Sequence, residues 1–132
     1  MALGRQIYDG NGKQTGTRTL ADGKVEVSER LQGFAWQEQG TESSTIRSEL
    51  RTDGSIMAEL SGVFVTPDGQ STITFRGQGV GSRKPDGGIT LRGAVYYWTT
   101  SPKFIVANTT VGVFEAEGDG QGNIQKKVWK WK

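Results

Sequence analysis

Apolar and polar residues alternate with a period of two along most of this chain. Val25, Val27 and Leu31 alternate with Glu26, Ser28 and Arg30, and Ile73 and Phe75 with Thr72, Thr74 and Arg76. Ile89, Leu91, Val95 and Tyr97 interleave with Thr90, Arg92, Ala94, Tyr96 and Trp98. Val111 and Val113 lead into Glu115 and Glu117, opposite Phe114 and Ala116. That spacing places successive side chains on opposite faces of a strand. No window holds a convincing amphipathic helix. Two segments, Ile56 to Val65 and Ile89 to Trp98, are apolar on both parities, which predicts cover on both faces and an oligomer contact on the outer one.

The breaks between strands are marked by Asp-Gly. All six aspartates precede a glycine: Asp9, Asp22, Asp53, Asp68, Asp86 and Asp119. Such a pair between apolar-periodic runs is a strong hairpin signal, because glycine takes positive φ freely and aspartate tolerates it. Two intervals are about twice as long as the others. Gln39-Gly40-Thr41 divides the first; Ser101-Pro102-Lys103 and Asn108 divide the second. The count is eight or nine strands with no helix required. Gly4 to Tyr8 and Val128 to Trp131 also read as strands, and pairing them would close the sheet. The expected fold is therefore all-β: a closed antiparallel up-and-down barrel of about eight strands with short Asp-Gly turns. Residues 1–132 form one domain, and a lumen of this size holds one small ligand.

Composition narrows the chemistry. There is no His and no Cys, and the aspartates are committed to turns. Thiolate sites are excluded, most standard catalytic kits are absent, no cofactor or metal is expected, and general acids and bases reduce to Glu, Tyr and Lys. Gly77-Gln78-Gly79-Val80-Gly81 precedes no helix, so it lacks the phosphate-binding arrangement. The net charge of +2 implies no polyanionic partner. At the C-terminus Lys126, Lys127, Lys130 and Lys132 interleave with Trp129 and Trp131, a pattern that can stack bases. The favoured alternative has the tryptophans inside and the lysines solvated, so no nucleic-acid partner is expected. Met1 to Tyr8 holds no apolar leader and no run suits a membrane span, so the expectation is a cytoplasmic protein without a membrane partner.

Gly62-Val63-Phe64-Val65-Thr66, then Ser71-Thr72-Ile73-Thr74-Phe75-Arg76-Gly77-Gln78-Gly79-Val80-Gly81, then Leu91-Arg92-Gly93-Ala94-Val95-Tyr96-Tyr97 resemble the allene oxide cyclase-type barrels in order of strand, turn, glycine-punctuated strand and aromatic strand. The resemblance covers the central third of the chain. It implies a small calycin-like barrel with an apolar lumen, in which some members isomerise or cyclise lipid and polyketide substrates without a cofactor. The cyclase's polar site residues match no positions here one by one. The Gly-x-Trp signature of lipocalins is absent, Gly33-Phe34-Ala35-Trp36 having one residue too many.

Two catalytic candidates follow. Glu59, between Ala58 and Leu60, is expected to be partly buried and to act as an acid or base, unless it pairs with an arginine such as Arg76. Tyr96 shares a face with Trp98, and both line the lumen or pack as ordinary core. Phe64, Phe75, Trp98, Trp36 and Arg76 are the expected ligand contacts, with Trp36 a lid at the barrel mouth or an exposed interface residue. The expected partners are a hydrophobic small molecule and further copies of the same chain. The competing reading is a non-catalytic, oligomer-forming barrel filled by Met57, Phe64, Phe75 and the tryptophans.

Overall fold

The computed structural model describes residues 3–132. Eight antiparallel strands follow one another around a closed barrel. They are β1 (Leu3–Thr19), β2 (Val25–Ala35), β3 (Glu38–Leu50), β4 (Ser55–Val65), β5 (Thr72–Arg83), β6 (Ile89–Trp98), β7 (Val111–Gly118) and β8 (Asn123–Trp131). β1 pairs with β2 on one side and β8 on the other, so the two ends of the chain do close the sheet. Closure leaves no row of unpaired backbone groups along an edge.

Four Asp-Gly turns, at Asp22, Asp53, Asp86 and Asp119, lie at one end of the barrel. Their mechanism differs from a tight two-residue turn. In the first, Leu20 N–H donates to the Lys24 carbonyl, Gly23 N–H donates to the Leu20 carbonyl, and Gly23 alone has positive φ. The aspartate keeps an ordinary φ, and its carboxylate accepts from the backbone N–H two residues on. Asp22 holds Lys24 at 3.0 Å, Asp53 holds Ser55 at 2.9 Å and Asp86 holds Gly88 at 2.8 Å. Asp68 repeats the arrangement at the opposite end, with Gln70 at 2.9 Å.

Two expected turns are strand instead. Asp9-Gly10 lies within β1, and Gln39-Gly40-Thr41 within β3. The β2–β3 reversal occurs at Trp36-Gln37, both at positive φ (48° and 68°), so the tight hairpin turn is built without glycine. Gly40 serves packing: a Cβ there would collide with the Phe64 ring. The Ser101 to Asn108 region holds one short helix that the alternation did not predict, a 3-10 strap over Pro102–Thr109.

Inside, Leu31, Phe64, Ile73, Phe75, Leu91, Val95, Phe114 and Val128 fill the barrel. The strap closes the end opposite the four turns, sending Phe104 and Ala107 inward to complete burial. Outside, an alternating charge row includes Glu26, which accepts from Arg18 at 2.8 Å and Arg47 at 2.9 Å. Exposed pairs of this kind contribute little to stability. Among the described residues no helix is long and apolar enough to cross a membrane.

Candidate functional site

The expected site residues separate into two places. Phe64 and Phe75 are buried in the lumen. Trp36 sits at the mouth, 5.1 Å edge-on from Tyr97 and 6.4 Å from Phe104, with its backbone N–H donating to the Ile7 carbonyl. Glu59, Arg76, Tyr96 and Trp98 lie on the outer wall. Glu59 is exposed, opposite Arg47 and Gln78 in the strand register. Its parity is the outward one, because Ala58 and Leu60 take the inward positions. Tyr96 and Trp98 are 58% and 62% exposed, and the parity that lines the lumen belongs to Tyr97. A shallow outer groove brings Glu59, Arg76 and Tyr96 together.

The C-terminal strand is also the reverse of the favoured expectation. Trp129 and Trp131 point outward, and Lys126 points in. Lys126 shares parity with Ile124 and Val128, and their burial carries the ammonium into the lumen. There its Nζ donates to Glu42 at 2.6 Å, with the two residues 8% and 2% exposed. Nζ also lies 4.6 Å from the Phe75 ring centre and 5.3 Å from that of Tyr8. Both rings present their π-faces to the cation.

Three further groups complete the cluster. The Tyr8 hydroxyl is buried with no hydrogen-bond partner in the described structure. Burial, reinforced by the Glu42 carboxylate, drives its pKa far upward; Tyr97 shifts the same way for the same two reasons. Both phenols therefore keep their protons at any ordinary pH and serve as hydrogen-bond donors. Glu29, facing Ser44 across the β2–β3 ladder, is pushed up to about 7 by burial, with Lys126 opposing and Glu42 adding to the rise. It can gain or lose a proton near neutrality. Together these groups can bind a polar head, orient it and exchange one proton with it. No group of His, Cys, Asp and Glu able to hold a metal ion occurs among the described residues.

The lumen is filled in this conformation. A void of about 20 Å³ lies among Tyr8, Glu42, Tyr97 and Lys126, and one of about 40 Å³ beside Glu29 at the Asp-Gly end. Each is of the order of a water molecule rather than of a drug-sized ligand. Phe104 plugs the mouth, its ring 6.2 Å from Phe64. Asn108 ties the strap down: it accepts from Thr99 N–H at 2.8 Å and donates to the Thr99 carbonyl at 2.9 Å.

Comparison with known proteins extends the fold and not the chemistry. No protein-family profile matches the chain, and no curated protein matches it. Solved structures do. A protein of unknown function from Clostridium acetobutylicum is similar over 100% of both chains, with a TM-score of 0.78 at 14% identity. A conserved protein of unknown function from Rhodopseudomonas palustris is similar over 99% of both chains, with a TM-score of 0.78 at 11% identity. A beta-barrel like protein from Acinetobacter baumannii is similar over 99% of this chain and 96% of its own, with a TM-score of 0.77 at 14% identity. These likenesses establish the barrel.

Proposed function

We propose that this protein binds a small amphipathic molecule in its lumen, admitted at the strap end by displacement of Phe104. The observation that carries the reading is the buried Lys126–Glu42 pair beside the partnerless Tyr8 hydroxyl. Burying two charges in an apolar core seldom improves stability over apolar side chains of the same size. A cluster of ionisable groups at a barrel's centre is better accounted for as a site. Phe104 occupies the place that the apolar body of a ligand would take, and the ligand's polar head would reach Lys126, Tyr8 and Tyr97.

The resemblance to cofactor-free cyclases and isomerases fits the same cluster, with the chemistry moved from Glu59 and Tyr96 to the lumen. Glu29 would carry the proton, Lys126 would hold the polar head, and the phenols would donate hydrogen bonds to an oxygen of the substrate. A filled lumen favours the second reading, a non-catalytic barrel whose core is complete without a ligand.

The two readings separate in one experiment. Tryptophan fluorescence and melting temperature are followed while long-chain alcohols, ketones and aromatic acids are added to the wild-type protein and to Tyr8→Phe. The lumenal reading expects a saturable quench from Trp36, a rise in melting temperature and weaker binding by the variant. Unchanged fluorescence and melting across the panel would leave the filled barrel standing.

A further inference from the structure

The outer wall over β6, β7, β8 and β1 carries two adjoining kinds of surface. Toward the strap end it is apolar: Tyr96 and Trp98 on β6, Val111 and Val113 on β7, Trp129 and Trp131 on β8, and Leu3 on β1. Trp131 and Leu3 are 54% and 46% exposed, alongside the exposed Tyr96 and Trp98. The strand register orders these residues into rows. One row runs Ala94–Val113–Trp129–Gln6. The next, toward the Asp-Gly end, runs Arg92–Glu115–Lys127–Asp9, with charges + − + −.

An even, alternating row is complementary to its own reversal. A two-fold axis lying in the contact plane, parallel to the strands and between β7 and β8, reverses each row without changing its height along the strands. Arg92 then meets Asp9 of a second copy, and Glu115 meets Lys127. Val113 meets Trp129. Ala94 meets Gln6, and within the Arg92–Asp9 row each charge faces its opposite. An isologous interface requires this self-complementarity. A closed barrel has no free edge to pair, so association has to use a face. Exposed aromatic patches of this kind are unusual on monomers and mark contact surfaces.

We propose that this face joins two copies of the chain in a two-fold dimer centred between β7 and β8. The dimer is independent of the lumenal reading, since none of its residues faces the interior. The aromatics supply the buried anchors and the charge row fixes the register.

Arg92 pairs with Glu115 of its own barrel at 3.5 Å, whereas β7 and β8 separate it from Asp9. Rescue by the Arg92→Asp/Asp9→Arg double variant therefore reports on contact between copies. Sedimentation equilibrium is measured from about 1 µM to 1 mM, a span that covers weak and moderate self-association. The wild type is expected to reach twice its 14.3 kDa mass. Arg92→Asp and Asp9→Arg should each weaken dimerisation about tenfold or more by placing like charges opposite one another. The double variant should recover it. Lys127→Glu is a second probe, expected to weaken association by facing Glu115 of the other copy. A wild type that stays monomeric overturns the proposal, as does a dimer indifferent to these charges or a double variant no better than the singles.

Discussion

Lys126 shows how much one parity step decides. Had the strand been shifted by one residue, its ammonium would be solvated and the tryptophans buried. In its actual place it compensates Glu42. Lys126→Met should cost about 3–5 kcal/mol in chemical denaturation, because it strands a buried carboxylate. Adding Glu42→Gln to it should restore part of that loss. Glu29 gives a pH signature of opposite sign to the usual acid. Its pKa of about 7 in the fold exceeds the ordinary 4.5, so the native state binds the proton more tightly than the unfolded chain. Its contribution is full below pH 4.5, falls as pH rises to 7, and is flat beyond. Glu29→Gln should remove that slope and stabilise the protein at pH 8 by up to ~3 kcal/mol, read from denaturation midpoints across pH. Lys126 was expected to be solvated, although Ile124-Gln125-Lys126-Lys127-Val128 sets it between two apolar residues of its own parity. Glu42 was not legible, since Gly40, Glu42 and Ser44 on its face give no apolar signal.

At the level of elements, the turns were legible wherever an aspartate was free to accept from the backbone two residues on. Asp9-Gly10 and Gly40 looked the same in sequence but answer to other demands, a continuous strand and room for an aromatic ring. Gly40→Ala should therefore cost about 1–3 kcal/mol by overpacking against Phe64, measurable as a lowered denaturant midpoint. The strap was read only as a break, because eight residues with one buried aromatic leave no helical period to detect. Its hold on the barrel rests on Asn108, which closes two hydrogen bonds to Thr99. Asn108→Ala should speed amide exchange across residues 102–109 by about thirtyfold while leaving β1–β8 protected, if each of the two lost bonds is worth about 1 kcal/mol. Uniform loss of protection would mean instead that the strap and the barrel open together.

For the molecule as a whole, closure, strand number and antiparallel order followed from turn spacing and alternation alone. What alternation did not decide was which parity faced inward where both were apolar. That ambiguity left Glu59 partly buried and Tyr96 and Trp98 in the lumen or core in expectation, whereas all three lie exposed on the wall. Trp36 was expected at the mouth or at an interface after a break at Gly33, but β2 runs through Gly33 to Ala35 and the chain reverses at Trp36 itself. The central claim is that the closed barrel opens at the strap to admit a ligand onto the Lys126–Glu42–Tyr8 cluster. Backbone NMR of the wild-type protein titrated with the hydrophobic panel tests it most directly. Saturable shifts are expected at residues 36, 97, 102–109 and 126, arising together as Phe104 leaves the mouth. Shifts confined to the outer face, or none at any concentration, would contradict it.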